Sequence, residues 1–138
     1  MTIVLDTNVV VSGVISPHGC PGRILEAVLT KTFVLLYDDR ILAEYRSVLK
    51  RPEFGFKSAD IEPFLGFVMS SGHLVAVEPV NLVLPDPTDV PFIEVAMAGD
   101  ADALITGNIK HFRPRRGTHR VRILTPAKFI NFAGSTVP

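Results

Sequence analysis

Short apolar runs, separated by stretches with helical periodicity, constrain the fold of this chain more than any other feature. The first run, residues 3–5, is typical of a short buried strand. Strands that alternate with helices favour a mainly parallel sheet with helices on both faces, a three-layer α/β/α fold. We predict strands at 3–5, 33–37, 74–77, 103–106 and 122–124.

The intervals between these runs carry the apolar patterns of helices. With 138 residues, of which 47% are hydrophobic, the chain is expected to form a single domain, 1–138, with a sizeable core. We see no internal repeat, low-complexity segment or interdomain linker, and we interpret Ser58 and Thr125 as helix N-caps. Helices are predicted at 9–15, 21–31, 39–51, 59–71, 91–99 and 126–132.

An acidic residue, Asp6, follows the first predicted strand directly. In an open α/β sheet the binding pocket lies beyond the carboxyl ends of the strands, so Asp6 is a candidate site residue. The alternative is structural, because Asp and Asn also cap helices by accepting hydrogen bonds from free N–H groups. Other acids must therefore decide between the two interpretations.

Glu44 lies at the edge of an apolar stripe on the helix predicted at 39–51. Arg40, Arg46 and Lys50 fall on the opposite side, which we expect to be solvated. Glu44 therefore points towards the protein body, where a carboxylate is costly unless it is paired or bound to a metal. The alternative is an exposed acid that pairs with a basic neighbour on the same helix.

Asp89 marks the start of the helix predicted at 91–99. Phe92, Ile93 and Ala96 follow it at helical spacing, which places Asp89 above the inward face of that helix. Capping explains Asp89 as well. Asp86, between two prolines, is better interpreted as turn chemistry, although it is close enough in sequence to support the site.

A fourth candidate, Asn108, comes after the apolar strand predicted at 103–106. Its amide can offer an oxygen to a cation or a water but contributes no charge. A simple Gly-Asn turn at 107–108 is the competing interpretation.

These segments together resemble the PIN domain family, small nucleases that include the VapC-type toxins of toxin-antitoxin systems. The resemblance rests on residues 4–8, on 42–45 followed by 48–49, on Asp89 with Ala96, and on 104–108, and it covers most of the chain. Residues 51–54 and the 85–89 segment look like the branch of putative toxin components. Asn108 departs from the family pattern, since an Asp is usual at this position.

The resemblance implies a Mg²⁺- or Mn²⁺-dependent endoribonuclease. Asp6 and Asp89 would be metal ligands, Glu44 a ligand that orients water, and Asn108 an assisting amide. It also implies a homodimer and an antitoxin peptide bound across apolar grooves, to which the fourth helix could contribute. A hard divalent cation held by carboxylates can activate water and relieve charge on a phosphoryl group, which suits this residue set. The lone Cys20 and the dispersed histidines give no zinc-ligand spacing.

Charge is distributed unevenly although the formal net charge is zero. Every acid lies at or before Asp102, whereas basic residues crowd the stretch that follows Asn108. This arrangement favours phosphate binding beside an acidic pocket, and a solvated loop or a surface for an acidic partner is the alternative. We predict that RNA contacts come from Lys110, Arg113, Arg115 and Arg116.

Three other functions compete with the nuclease interpretation. An aspartyl-phosphate phosphatase usually has a second Asp two residues after the first, where this chain has Asn8, and a dinucleotide-binding protein needs glycines that are missing from 6–11. A catalytically weakened PIN module that binds RNA or protein remains open because of Asn108. The sequence has a single cysteine, and no apolar run approaches the length of about 18 residues that a membrane span needs. Both features predict a cytoplasmic protein without membrane contact.

Overall fold

Five parallel strands form one sheet in the computed structural model, which describes residues 1–134. The predicted α/β class and the mainly parallel sheet are confirmed. The spatial order of the strands is β3-β2-β1-β4-β5. Their bounds are β1 Thr2–Leu5, β2 Val34–Tyr37, β3 His73–Leu74, β4 Ala103–Ile105 and β5 Ile123–Leu124.

The first strand lies at the centre of the sheet. Ile3 pairs with Leu35 of β2 on one side and with Ala103 of β4 on the other, and Leu5 pairs with Ile105. Because all neighbours are parallel, the carboxyl ends of β1 and β4 meet at one edge of the sheet. The residues that follow these two strands are therefore brought together.

The edge strand β3 differs from its predicted range of 74–77. It covers only His73–Leu74, and one more backbone bond, from the N–H of Val75 to the carbonyl of Tyr37, continues the pairing. Residues 75–80 then continue without regular secondary structure. Apolar character at 75 and 77 reflects packing against the core, because both valines are partly buried against it.

Six α-helices surround the sheet in the described residues. Helix α2 contacts α1 and α6, whereas α3 contacts α4 and α5. All three of α3, α4 and α5 contact β2, and α5 also contacts β1 and β4. This gives the predicted layers of helices on either side of a buried sheet. The helices are α1 Thr7–Ile15, α2 Cys20–Leu29, α3 Asp39–Leu49, α4 Ser58–Ser71, α5 Val90–Ala98 and α6 Pro126–Ala133, and short 3-10 turns cover Pro52–Phe54, Pro87–Asp89 and Ile109–Phe112.

Helix caps were predicted with mixed success. The Thr125 side chain accepts a hydrogen bond from the Lys128 N–H at 3.3 Å, as expected for an N-cap. The prediction for Ser58 is wrong, because the helix begins at Ser58 itself and Lys57 occupies the cap position. A serine one residue inside the helix is not in the extended conformation from which its hydroxyl can reach the free N–H groups.

The environment of Arg40 also differs from its prediction. Although its side chain is 45% exposed, its guanidinium group forms ion pairs with two buried acids, Asp38 and Glu94. Helical periodicity placed Arg40 on the solvated side of α3. The first turn of a helix leaves room for a long side chain to fold back over the helix start, and periodicity carries no information about that.

The core consists of both faces of the sheet and the inward stripes of the helices. Leu65 and Val68 of α4 are buried, so core packing accounts for them, whereas Phe64 and Phe67 are partly buried at its edge. In residues 1–134, no helix combines the length and the apolar character that crossing a membrane requires.

Candidate active site

The carboxyl ends of β1 and β4 bring Asp6 next to Thr106. Asp6 is 6% exposed, and its Oδ2 accepts a hydrogen bond from the Thr106 hydroxyl at 2.8 Å. Asp6 occupies the N-cap position of α1, yet its side chain makes no capping hydrogen bond within the described residues. The capping alternative therefore does not account for this buried carboxylate.

Glu44 is placed beside Asp6 by α3. Its Oε2 accepts a hydrogen bond from the hydroxyl of Thr7, the residue after Asp6. The next residue on α3, Tyr45, is fully buried and donates its hydroxyl to the carbonyl oxygen of Leu5 at 2.5 Å. Two contacts thus attach α3 to the end of β1, and Glu44 faces the site and not a basic neighbour.

Asp89 reaches the same region from the start of α5. It stands at the N-cap position of α5 but makes no capping hydrogen bond in the described part of the chain. Asp86, by contrast, accepts hydrogen bonds from both the N–H and the hydroxyl of Thr88, at 2.9 and 2.8 Å. The interpretation of Asp86 as turn chemistry is therefore confirmed.

The pKa values of the acids reveal how close they lie to one another. Burial raises the pKa of Asp6, hydrogen bonds from Thr106 and the Thr7 N–H oppose this, and the charge of Glu44 raises it further. Burial, followed by repulsion from Asp6, raises the pKa of Asp89 to about 6, and Glu44 contributes to the rise. A cation bound among these acids would offset the repulsion that raises the pKa values of Asp6 and Asp89.

Asn108 follows β4 as expected, and it has a partner that the sequence did not reveal. Its Nδ2 lies 3.0 Å from Nε2 of His111, and its N–H donates to the Thr106 hydroxyl at 3.0 Å. Nδ1 of His111 lies 3.9 Å from Asp89 Oδ2. With the amide as donor to Nε2, the ring proton is on Nδ1, which faces Asp89.

Three hydroxyl groups and one histidine of the site were missed at the sequence level. Thr7 and Thr106 adjoin predicted site residues, so their proximity was an available signal. Tyr45 is buried on α3 like an apolar core residue, and only the contact of its hydroxyl group with the Leu5 carbonyl identifies a second role. His111 was treated as a dispersed surface residue, since nothing local indicated that the 3-10 turn would direct it back to Asp89.

A divalent cation fits the chemistry of these donors. Carboxylate and amide oxygens are the ligands that Mg²⁺ prefers. Within residues 1–134, however, no group of three or more His, Cys, Asp or Glu side chains is arranged to hold a metal ion. Mg²⁺ usually keeps several waters and binds directly through one or two carboxylates, so the residues suit a hydrated ion more than a closed cage.

The basic loop, residues 113–117, is anchored beside the segment that leads to Asp86. Val83 and Arg116 form an antiparallel bridge, in which the Val83 N–H donates to the Arg116 carbonyl at 2.9 Å. The Arg115 N–H donates to the Val83 carbonyl at 2.7 Å. Gly117 has φ +78°, and a Cβ there would lie 2.5 Å from the Asn81 carbonyl oxygen, so the return of the loop requires glycine.

Comparison with known proteins identifies the family. A family model described as a PIN domain matches residues 2–110. The chain therefore belongs to the PIN domain family, whose members are typically metal-dependent nucleases that bind Mg²⁺. The matched range includes Asp6, Glu44, Asp89 and Asn108 and ends before the basic loop.

One curated relative is similar along almost the whole chain. It is an archaeal protein, MJ1680 of Methanocaldococcus jannaschii, which is itself described as uncharacterized. The two are 29% identical over 147 aligned residues, which cover 93% of this chain and 88% of the relative. No solved structure matches the chain.

Proposed function

We propose that this protein is a Mg²⁺- or Mn²⁺-dependent endoribonuclease and the toxin of a toxin-antitoxin pair. One observation carries the proposal: Asp6, Glu44 and Asp89 come from three separate elements, yet they lie close enough that the charge of Glu44 raises the pKa of Asp6, and the charges of Asp6 and Glu44 raise the pKa of Asp89. Such mutual repulsion is retained where a cation or substrate offsets it. Membership of the PIN family makes phosphodiester cleavage the chemistry to test.

Each residue has a role that follows from its contacts. Asp6 and Asp89 would hold the cation, Glu44 would orient the attacking water, and Asn108 would assist through its amide. Thr106 and Thr7 fix the carboxylates of Asp6 and Glu44 through their hydroxyl groups. When bound, a divalent ion supplies an activated water and neutralises charge that builds on the phosphoryl oxygens.

RNA as the substrate is supported by the placement of the basic loop. Lys110, Arg113, Arg115 and Arg116 are exposed, and the loop is fixed by its backbone bonds to Val83. A phosphate backbone held there would lie near the acidic pocket, because Val83 precedes Asp86 and Asp89 by only a few residues. Charge of this kind positions a nucleic acid without reading its bases.

The decisive experiment is cleavage of RNA by the purified protein with and without Mg²⁺. We expect cleavage that EDTA abolishes and that added Mg²⁺ restores. Asp6→Asn, purified in parallel, is the control for a contaminating nuclease. Metal-independent cleavage, or equal cleavage by the Asp6→Asn protein, would contradict the proposal.

RNA contact by the loop is tested separately from cleavage. Replacing Arg113, Arg115 and Arg116 with Ala should weaken RNA binding at low salt and flatten its salt dependence by roughly 0.7 log units per lost single-strand phosphate contact. Affinity would be measured with Ca²⁺ in place of Mg²⁺, at several salt concentrations. An unchanged slope would assign these arginines to another surface.

A protein partner is supported by an apolar cavity of about 230 Å³ where α1, α3 and α4 approach each other. We propose that an antitoxin peptide, or the second subunit of a homodimer, contacts this side of the molecule. The cavity is lined in part by Val14, Leu49, Phe56, Ile61 and Phe64. Copurification with the product of a neighbouring reading frame would test the antitoxin assignment.

A second candidate function is a PIN module that binds RNA without cleaving it. Asn108 favours this candidate, because it provides an amide where the family usually has an acid, and its Nδ2 is directed to His111. The two functions give opposite results in one assay. RNA binding without Mg²⁺-dependent cleavage would select the binding module.

A further inference from the structure

Two of the candidate acids are carried by different helices, so their separation depends on how those helices are held together. Glu44 lies in the middle of α3, and Asp89 lies at the start of α5. A cation that contacts both through oxygen atoms and ordered waters tolerates little variation in their distance. The connection between α3 and α5 therefore bears directly on the proposed site.

A buried ion network connects the two helices. Nη1 of Arg40 lies 2.7 Å from Oε1 of Glu94, while Nε and Nη2 of Arg40 lie 2.8 and 2.7 Å from Oδ2 of Asp38. Asp38 also accepts a hydrogen bond from the Ile41 N–H at 3.0 Å, which caps α3. The other oxygen of Glu94 accepts from the Val80 N–H at 3.0 Å.

The network is rigid for physical reasons. Asp38 and Glu94 are 7% and 6% exposed, and a buried carboxylate is very costly without a partner. The planar guanidinium group of Arg40 binds both acids at once, in a fork that fixes their directions. Burial lowers the pKa of Arg40, but the hydrogen bonds that its guanidinium group donates to Glu94 and Asp38 outweigh this and raise it.

The position of the network relative to the acids is informative. Arg40 precedes Glu44 by four residues, one turn of α3, and Glu94 follows Asp89 by five residues on α5. The Val80 contact also holds the extended segment that leads to the turn at Asp86. A change in the network therefore reaches both Glu44 and Asp89 through about one turn of helix.

We propose that the cluster of Asp38, Arg40 and Glu94 consists of positioning residues that set the spacing between Glu44 and Asp89. The inference rests on the proposed metal-dependent function and assigns a role to residues outside the acidic pocket. None of the three is assigned contact with metal or RNA. Their effect acts through the relative placement of α3 and α5.

A second ion network on α3 provides a matched control. Arg46 and Lys50 pair with Glu62 of α4 at 3.4 and 2.7 Å, and all three side chains are 40–45% exposed. This network also joins α3 to another helix, but α4 carries none of the candidate site acids. Glu62→Gln thus removes an interhelical ion pair without disturbing the connection to α5.

The test is Mn²⁺ binding to the metal-free protein, measured by electron paramagnetic resonance of the free ion. Glu94→Gln keeps the size of the side chain and should weaken Mn²⁺ affinity by about 10-fold, the lower end of the range for residues that support metal ligands. Arg40→Lys keeps the charge but loses the fork, and we expect a smaller loss. Glu62→Gln should bind Mn²⁺ as the wild type does.

Circular dichroism would establish that each variant is folded at the temperature of the binding measurement, and Arg40→Lys serves if Glu94→Gln does not fold. Folded Glu94→Gln or Arg40→Lys protein with wild-type affinity would overturn the positioning role. An equal loss in Glu62→Gln would overturn it as well. If the wild type itself binds no Mn²⁺, the proposed metal-dependent function fails, and the positioning role fails with it.

Discussion

Helices α3 and α5 take part in two groups of buried and half-buried carboxylates that differ in how their charge is balanced. Asp38 and Glu94 are almost fully buried, and both are paired with Arg40 at 2.7 Å. Asp6 is buried to the same extent, and its neighbours Glu44 and Asp89 are also acids. One group contains its own cation, whereas the other brings acids together.

His111 is the nearest basic group to the acidic pocket, and it does not change this contrast. It lowers the pKa values of Asp6 and Asp89, but burial and the neighbouring acids outweigh it for both residues. Its side chain is 49% exposed, so solvent screens its effect on the acids. Equally buried carboxylates in this fold therefore differ in their surroundings, since Asp38 and Glu94 are paired with Arg40 whereas Asp6 lies among other acids.

The largest expected effect is on RNA cleavage, which should depend on the group around Asp6. Asp6→Asn should lower RNA cleavage by about 100-fold or more under saturating Mg²⁺, because it removes a charged ligand and leaves the fold unchanged. Initial rates on a fluorogenic RNA would be compared with those of Asp100→Asn, a matched change at an exposed position. Cleavage by Asp6→Asn at the wild-type rate would show that the site is assigned wrongly.

The next effect separates the groups by stability. Glu94→Ala should lower the free energy of unfolding by about 3 kcal/mol, because Arg40 and the Val80 N–H lose their buried partner. Glu62→Ala breaks exposed ion pairs, which solvent screens, and should change the free energy of unfolding much less. Urea unfolding of the metal-free proteins measures both. Equal losses would mean that the buried network contributes no more than a surface ion pair.

A third substitution, Asp89→Asn, should raise the free energy of unfolding instead of lowering it. The pKa of Asp89 is raised from 3.8 to about 6, so the folded state binds the proton more tightly than the unfolded state does. Stability of the metal-free protein therefore falls as pH rises from about 4 to about 6, and the loss is complete above that range. Asp89→Asn removes the charge and should stabilise the metal-free protein at pH 7 by up to about 3 kcal/mol.

A stability measurement at low pH is the control for Asp89→Asn. At pH 4, where the wild-type carboxyl is largely protonated, the gain in stability of Asp89→Asn should nearly vanish. Saturating Mg²⁺ should stabilise the wild type more than the variant, since only the wild type has the full ligand set. A gain that is independent of pH would trace the effect to packing instead of charge.

The smallest effect concerns Asn108. Asn108→Asp adds a charge where the family usually has one and should raise Mg²⁺ affinity by a few-fold, with about 1 kcal/mol as the scale. Calorimetric titration of both proteins with Mg²⁺ measures the change in affinity. Clearly weaker binding by a folded Asn108→Asp protein would show that the amide is needed as a donor to His111.

Much of the fold could be predicted because it is encoded locally. The apolar runs that form β1, β2 and β4 were recognised within one residue of their observed ends, and helix periodicity located the six helices. Edge strands were harder, since β3 and β5 contain only two residues each. Their pairing depends on where the neighbouring strand ends, which a local pattern does not specify.

The candidate site shows the same division between local and distant information. Asp6, Asp89 and Asn108 were recognisable because they follow strands or begin a helix, and the structure brings all three to one edge of the sheet. The partners that hold them were not recognisable, since Thr106 is 100 residues from Asp6 and Glu94 is 54 residues from Arg40. Such contacts arise from packing between elements. The catalytic roles of the candidate site residues remain predictions.

The bridge between Val83 and the basic loop has a consequence for how this protein can change through evolution. The hydrogen bonds at Arg115 and Arg116 use main-chain atoms only, which nearly every amino acid provides equally well. Gly117 carries the conformational requirement of the loop. The side chains at positions 115 and 116 can therefore change in charge and size while the backbone of the loop keeps its shape.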